Sequence, residues 1–171
     1  KKTSFRIVGA GYRGARWLPS NKSVTKLDDL SGLKLRVPPL KMYRMTWEYL
    51  GASPVPMGVA ELFTSMQQGV VDGQENPLPT IQSSKFFEVQ KYLVRTGHII
   101  TPRLIVVNEA TWQSLAAKDR QILKAAIETH GQAQDNEILG QEAKLVDTFK
   151  AGGMNVVQPD LDSFRKPVLA S

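Results

Sequence analysis

The chain has 171 residues, 42% hydrophobic and 22% charged, a composition suited to a soluble globular fold of one domain or one and a half. It has no cysteine, which excludes disulfides, thiolate metal ligands and a cysteine nucleophile. The net charge of +6 is lopsided: residues 1–47 hold 11 Lys/Arg against 2 Asp/Glu, and residues 48–171 hold 11 against 14, so the basic first part suggests an anionic partner.

The apolar stretch Phe5–Val8 leads into Gly9-Ala10-Gly11-Tyr12-Arg13-Gly14, which matches Gly-x-Gly-x-x-Gly. A dinucleotide-binding loop must open a helix, and Ala15-Arg16-Trp17-Leu18-Pro19 breaks within five residues. An α/β dinucleotide-binding enzyme using the Gly9–Gly14 loop is therefore the second reading of function. Tyr12, Trp17, Tyr43 and Trp47 interleave with arginines, a pattern that can hold single-stranded nucleic acid. Tyr43 and Trp47 fall on an amphipathic helix, however, and no nucleic-acid motif is present, so no nucleic-acid partner is expected.

Residues 33–37 alternate strictly, Leu-Lys-Leu-Arg-Val, which predicts a half-buried strand with Leu33, Leu35 and Val37 on one face. Pro38-Pro39 stop it. Helical spacing continues over 41–50, ended by Gly51, and again over 60–68, ended by Gly69. A short strand is expected from Val70-Val71 to Glu75-Asn76-Pro77, then a helix over 80–91 around Ile81, Phe86, Phe87 and Val89. Residues 103–107 read as a strand. Its apolar run, Leu104–Val107, is far shorter than the about 20 residues of a membrane span. Asn108 is placed to cap the next helix, 109–116. Residues 117–150 form one long helix of about 50 Å at 1.5 Å per residue, with Gly131 and Gly140 as points of bending. Met154–Val157 make a last strand.

Strands alternating with short helices predict an α/β chain with a largely parallel sheet. In such sheets ligands sit at the carboxyl ends of strands. Enzyme signatures are lacking. The two histidines, His98 and His130, have no metal-ligand spacing, and there is no Gly-x-Ser-x-Gly elbow. No catalytic residue, metal or cofactor is expected. There remain Arg16, Arg36 and Asn76: arginine pairs with a carboxylate through two parallel N–H···O bonds, and an amide at a strand end adds a neutral partner.

Four ordered stretches carry a resemblance. Leu30-Ser31-Gly32-Leu33-Lys34-Leu35-Arg36-Val37-Pro38, Leu50-Gly51-Ala52-Ser53-Pro54-Val55-Pro56-Met57, the run from Glu61-Leu62-Phe63 to Gln68-Gly69-Val70-Val71-Asp72-Gly73-Gln74-Glu75-Asn76-Pro77, and Lys85–Leu93 with Thr96-Gly97-His98 all resemble elements of the DctP-type periplasmic solute-binding proteins of TRAP transporters. The resemblance implies a periplasmic-binding-protein-like (type II) clamshell lobe with a long C-terminal helix. It implies a periplasmic carrier that delivers a small organic acid, a dicarboxylate or sugar acid, to a membrane permease. Arg36 takes the place of the arginine that pairs with the ligand carboxylate, Arg16 that of a second arginine, and Asn76 that of a hydrogen-bonding asparagine, while Glu75 faces the same cleft. In the sialic-acid branch an aromatic comes after the Pro-Met pair; here Gly58-Val59 stand there. The family's first lobe would lie before Lys1. Residues 1–101 would then be the core of the second lobe, 102–141 elements that return to the first, and 142–171 the end of the long helix and its return. On this reading the chain is incomplete, half the cleft is missing, and the uncovered wall favours self-association.

Overall fold

The computed structural model describes residues 4–100 and 102–169. In chain order the strands are β1 (Phe5–Gly11), β2 (Ala15–Ser20), β3 (Lys34–Val37), β4 (Ser53–Pro56), β5 (Gly73–Gln74), β6 (Asn76–Pro77), β7 (Tyr92–Ile100), β8 (Arg103–Asn108) and β9 (Asn155–Val157). The helices are α1 (Lys41–Tyr49), α2 (Leu62–Gln67), α3 (Leu78–Ser83), α4 (Glu109–Ser114), α5 (Ala117–Ala151) and α6 (Leu161–Leu169). The chain divides into two compact units, one of residues 1–14 and 100–143, the other of 15–99 and 144–171. This division differs from the sequence-drawn boundaries at its start: residues 4–14 go with 100–143 because β1 pairs along its length with β8.

In the first unit β1 and β8 form an antiparallel ribbon with a bulge between Ile7 and Gly9. Arg6 donates from Nε and Nη2 to the Glu109 carboxylate at 2.9 and 2.7 Å, and those hydrogen bonds hold the Glu109 carboxyl down at about 2. Asn108 caps α4 as expected from its position, accepting from the backbone of Ala110 and Thr111 at 2.9 and 3.2 Å. The Gly-x-Gly-x-x-Gly match is corrected here. Gly9 and Gly11 belong to β1, and the element after Gly14 is the strand β2, so no helix N-terminus is available for a pyrophosphate. The glycine at position 9 serves packing: a Cβ there would lie 2.6 Å from the Ile127 Cγ2 of α5.

The second unit is built on one mixed sheet of order β4-β3-β5-β2-β7-β9, with β6 also on β2. Parallel pairs join β4, β3 and β5, and again β7 and β9, but β2 runs antiparallel to β5 and β6. Helices and loops cover both faces. Trp17 and Leu93 enter one apolar cluster, with Leu62, Met66, Ile81 and Phe149; their chain neighbours Leu18 and Val94 enter the other, with Leu35, Val37, Trp47 and Phe164. Alternation along each strand thus sorts side chains between two cores. In α1 Trp47 is buried and Tyr43 partly so, with Leu50 buried just past the helix end, while Met42, Met45 and Tyr49 are exposed. The helix expected over 80–91 is two pieces: Lys85 adopts φ 55°, which ends α3 and starts a short 3-10 turn at Phe86–Glu88. The strand expected over Met154–Val157 is β9, and α6 has no counterpart among the sequence expectations.

Candidate functional site

The direction of β2 decides where the expected site residues meet. Arg36 lies near the carboxyl end of β3, and Gln74 ends β5 with Glu75 directly after it. Because β2 is antiparallel, its beginning, with Arg16, falls at that same edge of the sheet. Register assigns faces. Arg36 pairs with Gln74, and Asn76 sits opposite Trp17, so Arg36, Gln74 and Asn76 share one face. Arg16, between Ala15 and Trp17, starts on the other face, toward Leu18 and Tyr43. Glu75, in the break between β5 and β6, meets the Arg16 guanidinium there.

Arg16 is 4% exposed and Glu75 0%. Arg16 Nε donates to Glu75 Oε2; its Nη2 donates to Glu75 Oε1 at 2.7 Å, to the Glu75 carbonyl at 2.6 Å and to Asn76 Oδ1 at 3.1 Å. The guanidinium also lies over the Tyr43 ring, 5.1 Å from its centre, a cation–π contact. Arginine only donates, so Asn76 must present its oxygen to Arg16. Its Nδ2 then donates to Gln74 Oε1 at 2.6 Å. The relay ends at Gln74 Nε2, a buried donor with no acceptor.

Arg36 is also 4% exposed, yet it has no carboxylate partner among the described residues. Its Nε and Nη2 both donate to the Met57 carbonyl, at 2.9 and 2.7 Å. Burial lowers its pKa from the ordinary arginine value, the nearby Glu75 charge opposes that, and the Arg16 charge adds to it. The two arginines therefore sit within each other's field, although their strands aim them at opposite faces.

His98 has no metal-ligand spacing in the sequence, and in the structure it is the second support of Glu75. Its Nε2 lies 3.2 Å from Glu75 Oε2 and its Nδ1 2.7 Å from Thr96 Oγ1, with Trp47 edge-on at 4.8 Å. A carboxylate accepts only, so Nε2 carries the proton and Nδ1 accepts from Thr96. Burial lowers the His98 pKa, hydrogen bonding and the charge of Glu75 oppose this, and Arg16 reinforces it. The residue is neutral when folded. The unfolded chain then binds the extra proton first, so stability is complete above the unfolded value of about 6.5 and falls as pH drops below it. We expect the urea midpoint to decline from pH 7 to pH 5, with a loss of unfolding free energy of at most about 1.4 kcal/mol per pH unit from this group. A His98→Gln variant should decline less, and a wild-type midpoint flat over that range would refute the assignment. Glu75, expected to face the ligand, is fully enclosed and engaged with Arg16 and His98.

Among the described residues no group of His, Asp and Glu could hold a metal ion, and no helix is long and apolar enough to cross a membrane. The family model for bacterial extracellular solute-binding protein, family 7 (DctP) matches residues 1–170. A sialic acid-binding periplasmic protein of Vibrio cholerae is 42% identical over 166 residues, 97% of this chain and 52% of its own length. A TRAP periplasmic solute-binding protein of Roseobacter denitrificans, solved with bound 3-deoxy-D-manno-oct-2-ulosonic acid, superposes with a TM-score of 0.93 at 33% identity, covering 98% of this chain and 56% of that one. Another from Roseobacter denitrificans, solved with L-galactonate, gives a TM-score of 0.89 at 36% identity, covering 98% and 57%. The chain spans about half the length of the relatives it matches.

Proposed function

The chain belongs to the DctP family, the family 7 bacterial extracellular solute-binding proteins, and from that membership we propose that it binds a small organic acid through Arg36, assisted by Arg16 and Asn76, for delivery to a membrane permease. The work is binding, with no bond made or broken, and the compartment is the periplasm. Delivery to a permease is proposed from the type of protein that the solved relatives are.

The observation that carries the reading is Arg36. A guanidinium taken out of water without a carboxylate leaves its charge uncompensated. Its only hydrogen-bond acceptor among the described residues is the Met57 carbonyl, and the nearby carboxylate, Glu75, is already held by Arg16. The open groups on the face of Arg36 are donors: the rest of its own fork and Nε2 of Gln74, its register partner. A carboxylate, which only accepts, is their complement. Glu75 belongs to the site as the strut of Arg16.

Binding of L-galactonate, 3-deoxy-D-manno-oct-2-ulosonic acid, sialic acid and succinate, each beside its methyl ester, tests this by calorimetry. At least one acid should bind and lose roughly 10- to 100-fold in affinity on esterification, the worth of a charge-assisted hydrogen bond. If acids and esters bind alike, the carboxylate is not what is recognised. NAD is included in the panel and should give no heat.

A further inference from the structure

Among the described residues three buried side-chain polar atoms find no hydrogen-bond partner: Trp47 Nε1, Gln90 Oε1 and Gln74 Nε2. A buried donor left unmade costs the full desolvation of its group, so each such atom calls for an explanation. Trp47 belongs to α1, and Gln90 lies just before β7. Gln74, 0% exposed, is the one of the three in register with Arg36, on the same face of the sheet. Gln74 cannot relieve its donor by turning its amide over. Asn76 gives its oxygen to Arg16 at 3.1 Å, because a guanidinium only donates. The Asn76 nitrogen therefore faces Gln74 and takes its Oε1 at 2.6 Å. A turned Gln74 would set Nε2 against Asn76 Nδ2, donor against donor. The chain from Arg16 through Asn76 to Gln74 thus runs one way only, and its last donor stays unmade. The same chain bars Gln74 from offering Oε1 to the Arg36 fork, which would fill the site from within.

We propose that Gln74 is a recognition residue of the site: its Nε2 donates to an oxygen of the bound acid, and Arg16, acting through Asn76, is the positioning residue that keeps that donor free. The inference rests on the carboxylate reading above and adds a division of labour to it. Arg36 supplies charge, and Gln74 supplies a neutral donor whose worth lies in its fixed direction. A donor that no protein group can satisfy discriminates in one direction: a molecule with no acceptor at that point leaves it buried and unpaired, and is rejected. The relay also gives the buried ion pair of Arg16 and Glu75 a use beyond support, since it anchors the first member of the chain.

The test follows the side-chain amides of the nitrogen-15-labelled chain by NMR at pH 7.5. L-galactonate is added, or the acid of the panel above that binds in its place. The Gln74 amide is assigned by its loss in Gln74→Met. On saturation its protons should move downfield, while those of Asn76, already bonded, stay nearly still. Gln74→Met should bind the acid about tenfold or more weakly. Asn76→Asp separates recognition from mere support. Its carboxylate accepts from Arg16 and from Gln74 Nε2 alike, so the Gln74 amide should shift before any acid is added and then cease to respond. An acid that binds wild type without moving the Gln74 amide overturns the role of Gln74 and leaves the carboxylate reading standing. Silence from every acid of the panel overturns both. If the variants fail to fold, the amide is assigned through the bonds of its own side chain, and the wild-type shift decides alone.

Discussion

Arg36→Lys should cost roughly 30-fold to several thousand-fold in affinity for the acid, the equivalent of about 2–5 kcal/mol. The reason is geometric. Arg36 spends Nε and Nη2 on one carbonyl oxygen, Met57 O, and this clamps the plane of the guanidinium. The rest of the fork is thereby aimed, and little rotamer entropy remains to be lost on binding. Lysine keeps the charge but has no fork. Its ammonium must choose between the Met57 carbonyl and the ligand, and it orients neither. Stability should change much less than affinity, since the lost hydrogen bonds end on a backbone oxygen at the sheet edge. Calorimetry that found Arg36→Lys within twofold of wild type would remove Arg36 from the role.

Glu75→Ala should destabilise the second unit by about 3–5 kcal/mol, the cost of breaking a buried ion pair from one side. The substitution strands two groups at once. Arg16, 4% exposed, keeps only the carbonyl of residue 75 and Asn76 Oδ1 as acceptors. His98 loses the acceptor of its Nε2 proton. Urea unfolding measures the loss, and a change under about 1 kcal/mol would mean the pair is not the strut described. A large excess of the acid ligand should return part of the stability by mass action, because it binds the folded form alone.

Much of this fold is legible in the residues. The alternation of Leu33, Leu35 and Val37 locates β3 and its buried face, but it places Arg36 on the polar face. Arg36 is nevertheless buried, paired in register with Val55 of β4 and bonded to the Met57 carbonyl, a tertiary setting that a two-residue period does not carry. The helix over 117–150 and the Asn108 cap are legible from composition and spacing. β2 is hidden because Arg-Trp-Leu-Pro-Ser holds no alternation: Arg16, Trp17, Leu18 and Ser20 are all buried, facing two cores. Hidden with it is the antiparallel direction that brings Arg16 to the carboxyl ends of its neighbours. The role of His98 is obscured in a similar way. Thr96 and His98 lie two apart on β7, so they share a face and touch, but Gly97 between them, at φ 54°, blurs the strand signal. The expectation that Glu75 opens to the ligand gives way to its enclosure.

The long helix carries two glycines, Gly131 and Gly140, at which an added methyl group would meet nothing within 4 Å. Sterics therefore do not require them. Each weakens the helix by roughly 0.5–1 kcal/mol relative to alanine. A rod of 35 residues thus contains two soft joints near its middle. Alanine at either position should stiffen the helix while its methyl group touches no other described residue.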